Sequence, residues 1–388
     1  CLGIIGTFTG LGLLVTVAFG ATGIQDLATN AWVNAAMFMV FVALALSLFG
    51  LFEIAVPSGL VNKANSKSRI GGLVGPLLMG LTFTLTSFTC TVPVVGALLV
   101  AAANGDIWRP LIGMLVFSTT FAFPFFLLAL FPSFLSKLPR SGQWMNTVKV
   151  FMGFFELAFA VKFLSNVDVV YQLGLITKPV ALGIWFALAA MGAAYLLGWI
   201  RLPKESSEQK IGWLRRGFGV ATLAAGVMCL AAMEGFSLGK IGALLPPDPY
   251  PFKDQSRQKG GLFAWNHTLE EGISKAKASG KAVFINFTGY TCTNCRDMEQ
   301  NMFPRSEVRK ELAGMEIVEL YTDGKEAVHK ENQKLQQKLT GSVTLPVYVV
   351  LKPNGDVVSQ FPGSTDNAEE FVKFLQDGKM KVSAVASR

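Results

Sequence analysis

The residues of this chain best suited to chemistry are two thiols three positions apart, Cys292 and Cys295, in the run Gly289-Tyr290-Thr291-Cys292-Thr293-Asn294-Cys295-Arg296. They follow an apolar strand pattern over 282–287 and open a helix pattern. A thiol at a helix start meets free backbone N–H groups and the positive end of the helix dipole, and both favour the thiolate, the form that attacks disulfides. Cys292 is therefore the expected nucleophile. Cys295, one turn further in and more buried, is the thiol that resolves the mixed disulfide. A CxxC pair can also be half of a zinc site, but the chain offers only His267 and His329 and no second CxxC to complete four ligands. Redox chemistry is the expectation, with no haem, flavin or metal. A third thiol, Cys90, lies close to Pro93 in a long apolar run. A dithiol in a polar part of the chain and a thiol in an apolar one point to electrons crossing a bilayer.

The apolar part has to place Cys90. The chain is 51% hydrophobic and 15% charged, where soluble domains carry roughly 25% charged residues, and its mean hydropathy is +0.45. This is the composition of a membrane protein. Basic and acidic residues balance from Gly261 onward, so the whole net charge of +8 falls in the first 260 residues. The excess then belongs to membrane loops, and no nucleic-acid partner is expected. Apolar stretches at 2–23, 32–56, 70–103, 110–135, 148–164, 180–200 and 218–236 predict seven spans of about 30 Å. The third is broken by Gly71, Gly72, Gly75, Pro76, Gly80, Pro93 and Gly96. Irregular backbone at membrane depth is tolerated where it faces protein or a wet cavity, so Cys90 and Pro93 are read as lining a conduit. Glu156, near the middle of the fifth span, is costly there and is a candidate conduit group, the alternative being a structural or protonated state.

Loop charge sets the orientation. Eleven Lys and Arg residues, among them Lys63, Arg140 and Arg215, follow spans two, four and six or edge the next span, whereas the other loops hold only Arg109 and Lys178. The first set is cytoplasmic by the positive-inside rule, which sends the chain after span seven to the outside. The sequence begins at Cys1 and enters an apolar run almost at once, so we expect a fragment of a longer protein. Cys1 and Cys229 read as small buried hydrophobes.

The remainder has to place the dithiol. Residues 1–238 are the expected membrane domain, 239–260 a linker containing Leu245-Pro246-Pro247-Asp248-Pro249-Tyr250-Pro251, extended and semi-rigid, and 261–388 a compact domain. The patterns there predict a helix at 269–278, a strand at 282–287, a helix from Cys292, a strand at 316–321, a helix at 327–339, a strand at 347–351, a hairpin at Asn354-Gly355, a strand at 356–360 and a helix at 368–375. With CxxC at the start of the helix after the first strand, this is the order of an α/β thioredoxin-like fold. Pro346, preceded by Leu345, falls where that fold keeps a cis proline beside the dithiol, with the Leu345 backbone offered to a substrate strand.

These runs, taken in order, resemble the DsbD (CcdA-type) thiol:disulfide interchange proteins over nearly the whole chain. The resemblance rests on Ser87-Phe88-Thr89-Cys90-Thr91-Val92-Pro93, Phe121-Ala122-Phe123-Pro124, Leu138-Pro139-Arg140-Ser141-Gly142-Gln143-Trp144-Met145, Gly289 to Glu299, and Thr344-Leu345-Pro346. It implies that Cys90 is the second of two membrane cysteines. It also implies that Cys292 and Cys295 are the dithiol of an extracytoplasmic C-terminal domain, with Glu299 an acid that tunes its pKa. Electrons would come from cytoplasmic thioredoxin, pass the membrane pair and this dithiol, and reach extracytoplasmic thiol-disulfide proteins, including those of cytochrome c biogenesis. The family has eight spans and carries its first membrane cysteine in the span that would precede these seven, so the partner of Cys90 is expected upstream and these residues alone are not expected to transfer electrons. Asn286 stands where the family has an aspartate.

The expected function is a multi-pass protein-disulfide reductase of a bacterial inner membrane, embedded in lipid, with its C-terminal domain in the periplasm. One rival is a membrane-anchored thioredoxin-like oxidase or isomerase with inert spans. Another is a solute transporter with a redox domain, for which Glu156 and the broken third span speak.

Overall fold

The computed structural model describes residues 5–6, 9–10, 29–51, 108–130, 143–200, 212–247 and 263–386. Cys1, Cys90 and Pro93, and with them the third expected span, lie outside the described residues. The long helices are α1 (Ala31–Leu48), α2 (Trp108–Leu130), α3 (Gln143–Tyr171), α4 (Lys178–Leu196) and α5 (Trp213–Met233). Among the described residues, four stretches, Ala31–Leu48, Asn146–Tyr171, Lys178–Leu196 and Trp213–Met233, are long and apolar enough to cross a membrane. They match the second, fifth, sixth and seventh expected spans. Exposed side chains such as Met152, Phe155, Phe218 and Val227 suit a lipid surroundings.

The chain divides into two compact units, one of residues 1–25, 40–157 and 194–216, the other of 26–39, 158–193 and 217–388. In the first, Val150, Tyr195 and Leu196 are buried with Phe49, Phe151 and Phe154 around them. Gly153 lets the Phe49 ring approach, since a Cβ there would meet it at 2.7 Å. In the second, several polar groups of the helices are satisfied internally: Asn166 Nδ2 donates to Asn34 Oδ1 at 2.9 Å, and Trp185 Nε1 donates to the Ala158 carbonyl at 3.0 Å. Asp168 accepts the N–H groups of Leu175 and Ile176 at 3.1 and 2.9 Å. Helix α3 therefore continues to Tyr171, past the apolar window at 148–164, because its late polar residues have partners within the protein. Glu156 lies half-buried on α3 and Cys229 half-buried on α5, the latter a free thiol.

After α5 a 3-10 helix, Gly239–Leu244, packs on the helix that carries the dithiol, and Leu245 then turns extended. Further on come α6 (Leu269–Ser279), β1 (Val283–Thr288), α7 (Thr293–Asp297), a π-helical turn (Met298–Met302), α8 (Ser306–Ala313), β2 (Glu316–Tyr321), α9 (Ala327–Thr340), β3 (Val347–Leu351), β4 (Val357–Pro362) and α10 (Ala368–Ala386). The four strands form one sheet in the order β2-β1-β3-β4, with β1 parallel to β2 and the other pairs antiparallel. Local chemistry explains the boundaries. The Thr268 side chain accepts the Glu271 N–H to start α6, and Gly280, at φ 70°, ends it. Asn354-Gly355 makes the expected hairpin, with Gly355 at φ 96°.

Strands β1 and β3 are buried along their whole length, so both faces of the sheet are covered. One face packs Phe284, Tyr348 and Val350 against Met298, Met302 and Phe303 of the π turn and its exit, Leu312 of α8 and Phe371 of α10. The other packs Ile285, Phe287, Val318 and Val349 against Ala276 of α6 and against Cys295. Helix α10 runs eleven residues beyond the sequence expectation. Gly378 reads as a stop signal, but its missing Cβ is what the packing needs: one built there would stand 2.9 Å from Val350 Cγ2. Beyond it, Lys379 pairs with Glu311 and Val382 is buried.

Candidate dithiol site

Strand β1 delivers the chain to the dithiol from the middle of the sheet. Cys292 is the N-cap of α7, and its Sγ accepts the Cys295 N–H at 3.1 Å. The two cysteines are joined in a disulfide with Cα atoms 5.3 Å apart. Cys295 is fully buried in the second core face, whereas Cys292 is half-buried and packs on the edge of that cluster. The accessible sulfur is thus the N-capping one. The Leu345–Pro346 bond is cis. Leu345 shares a buried cluster with Cys295, and Gln336, buried on α9, donates to the Thr344 carbonyl at 2.8 Å and steadies the approach to the proline.

A buried polar cluster lies beside the dithiol on the first face of the sheet. The Arg296 guanidinium, 5% exposed, pairs with both Glu299 oxygens, Nη1 to Oε2 at 2.7 Å and Nη2 to Oε1 at 3.0 Å. It also donates to Thr288 Oγ1 at 3.0 Å, and its Cζ lies 5.8 Å from the Tyr321 ring. Glu299 Oε1 further accepts from Thr288 Oγ1 at 2.8 Å and Asn286 Nδ2 at 3.3 Å. Asn286 stands in register with Glu319 on the neighbouring strand. Burial pulls the Arg296 proton affinity down, but Glu299, Tyr321 and Glu319 outweigh it and hold the guanidinium charged. Two carboxylates then face one cation, and the second carries the cost: burial first, and Glu299 next, push the Glu319 carboxyl up to about 8. Removing one partner of a buried pair of this kind costs about 3–5 kcal/mol, because the other charge is left uncompensated.

This cluster gives the domain a pH signature. An unfolded Glu loses its proton near 4.3, whereas the folded chain keeps one on Glu319 until about 8. Between these values the folded state binds more protons than the unfolded one, so stability falls as pH rises through the window and levels off above it. Urea midpoints followed by proteolysis of the thioredoxin-like domain should fall between about pH 5 and 8 in the native chain, and Glu319→Gln should flatten the slope. A native midpoint that does not move would contradict this assignment.

The structure brings together Cys292, Cys295, Glu299, Leu345 and Pro346 from the sequence expectation, Cys90 and Pro93 lie outside the described residues, and Glu156 is a residue of α3. Arg296, Glu319, Tyr321 and Asp323 went unnoticed in the sequence. The Arg296–Glu299 spacing of three is a legible helix-pair signal. Nothing local marks Glu319, whose strand reads as half-exposed until a helix covers its polar face.

The membrane helices and the sheet domain with its disulfide define a membrane-bound dithiol protein. Residues 1–168 match the cytochrome c biogenesis protein transmembrane domain and residues 269–379 a thioredoxin-like domain. The thiol:disulfide interchange protein DsbD of Vibrio cholerae serotype O1 is 29% identical over 322 residues, covering 81% of this chain and 49% of that protein. DsbD of Cronobacter sakazakii is 27% identical and covers 81% and 50%, and that of Haemophilus influenzae is 39% identical over 165 residues, covering 42% and 28%. The chain spans about half the length of the curated relatives it matches. A solution structure of a thioredoxin from Thermus thermophilus aligns with 30% of this chain and 86% of its own, at 23% identity and a TM-score of 0.26. In both domains and in their order the chain is similar to the DsbD thiol:disulfide interchange proteins.

Proposed function

We propose that this chain is a transmembrane protein-disulfide reductase, passing electron pairs from cytoplasmic thioredoxin through membrane cysteines that include Cys90 to the Cys292–Cys295 pair, and from there to extracytoplasmic thiol-disulfide proteins. The observation that carries the reading is a disulfide-forming CxxC pair at a helix start, the first cysteine half-buried at the edge of the core and the second fully buried, in a chain of membrane helices. Residues 1–238 act as the conducting domain, with Pro93 and Glu156 as candidate conduit groups, 239–260 as the linker, and 261–388 as the periplasmic domain of an inner-membrane protein.

In the outward step the Cys292 thiolate attacks one sulfur of a client disulfide. A Cys292–client disulfide forms and the client's other sulfur leaves as a thiolate. Cys295 then attacks Cys292 Sγ, the second client sulfur leaves, and the client thiolates take protons from water. Two electrons have passed to the client and the Cys292–Cys295 disulfide has reformed. Leu345 and Pro346 bound the face on which the client strand lies, and Glu299, locked to Arg296 and Thr288, sets the charge beside the dithiol. The gradient runs downhill: a thioredoxin couple near −270 mV lies about 90 mV below a disulfide isomerase near −180 mV, roughly 4 kcal/mol for two electrons.

The roles of the two sulfurs are tested by alkylating the reduced chain in micelles with a limiting reagent across pH. Cys292 should be labelled first, with an apparent pKa below the free value of about 8.5. Preferential labelling of Cys295 would overturn the assignment.

A further inference from the structure

We propose that Asp323 is a positioning residue for protein disulfides: its carboxylate clamps the loop before Cys292 and so sets where Cys292 stands beside Leu345–Pro346. The inference rests on the reductase reading above. Asp323 follows β2, far from the dithiol in sequence, yet both of its oxygens are taken up by that loop. Oδ1 accepts the Tyr290 N–H at 2.7 Å, and Oδ2 accepts the Thr291 N–H at 3.0 Å and the Thr291 hydroxyl at 3.1 Å. Hydrogen bonds to an ionised carboxylate are roughly twice as strong as neutral ones, and three on one loop fix its direction.

Two further contacts join the clamp to its surroundings, one at the proline segment and one at the end of β2. Gly289 is wedged between the clamp and the proline segment: a Cβ there would lie 2.7 Å from Asp323 Oδ2 and 2.8 Å from Leu345 Cδ1. The Tyr290 ring stacks on Tyr321, the last residue of β2, with centroids 4.2 Å apart and planes 14° off parallel. The end of β2 thus grips the loop by a ring and by a carboxylate. Next in the chain is Cys292, whose N–H donates back to the Gly289 carbonyl at 3.3 Å, so the turn at 289–292 aims its sulfur.

The consequence is selective. Disulfide exchange needs the attacking sulfur placed to within a fraction of an ångström, and a misplacement of about 1 Å can cost on the order of a hundredfold. A small disulfide can reorient to meet a displaced thiolate. A protein disulfide, already held by its strand along Leu345–Pro346, cannot. Loosening the clamp should therefore slow exchange with proteins far more than exchange with small molecules.

The test compares the full reduced chain in micelles with its Asp323→Asn, Asp323→Ala and Thr291→Val variants, using insulin as the protein disulfide and oxidised glutathione as the small one. With insulin, kcat/KM should fall about tenfold or more in the Asp323 variants and less in Thr291→Val, the loss expected for charge-assisted hydrogen bonds, while the glutathione rate stays within about threefold. Amide hydrogen exchange at Tyr290 and Thr291 should speed up in Asp323→Asn with the sheet still protected. Insulin rates within about twofold of native in Asp323→Asn, or equal losses with both disulfides, would overturn the clamp. A native chain inactive toward both disulfides would instead sink the reductase reading, and the clamp with it.

Discussion

Cys292→Ser should lower insulin reduction by the chain to the uncatalysed level, whereas Cys295→Ser should stop the cycle one step later and accumulate a mixed disulfide with the client. The asymmetry follows from the two environments. Cys292 caps α7, is half-buried, and its sulfur already accepts the Cys295 N–H at 3.1 Å, a contact that would stabilise a thiolate in the reduced protein. A serine hydroxyl there is not ionised near neutral pH and cannot open a disulfide. Cys295 is fully buried among Ile285, Phe287, Val318 and Val349, where no client sulfur reaches it, so its work is confined to attack on Cys292 Sγ. Non-reducing gels of quenched reactions distinguish the variants: Cys295→Ser should show a chain–insulin adduct and Cys292→Ser none. Adducts on Cys292→Ser would reverse the two roles.

Much of this was legible in the sequence because the signals were local. The strand before the dithiol, the Asn354-Gly355 hairpin and the thioredoxin-like order of elements each depend on a few neighbouring residues, and each is present in the structure. What escaped notice depends on residues distant in the chain. Glu319 looks like a solvent-facing strand residue until Arg296 and Glu299 are laid over it, and Asp323 looks like an ordinary loop acid until the 289–291 turn reaches it. Gly378 shows the same limit. Glycine commonly ends a helix, and only the closeness of Val350 reveals why α10 keeps one and continues. The end of α3 was hidden for a related reason, since hydropathy registers Asn166 and Asp168 as polar but not their internal partners.

The second large effect concerns Cys90, and it separates a conduit from an anchor. Membrane helices that only tether the domain make the redox state of Cys292 and Cys295 independent of any thiol among the spans. Helices that conduct make it depend on Cys90, because reducing equivalents from the cytoplasm have to pass through a membrane thiol before they reach a dithiol on the other side. The deciding measurement is the redox state of the Cys292–Cys295 pair in growing cells that make the protein from its natural locus, fixed by acid quenching and alkylation, in native and Cys90→Ser strains. The native pair should be found largely as the dithiol and the Cys90→Ser pair almost wholly as the disulfide; an equally reduced pair in both strains would contradict transmembrane relay and leave the spans as an anchor.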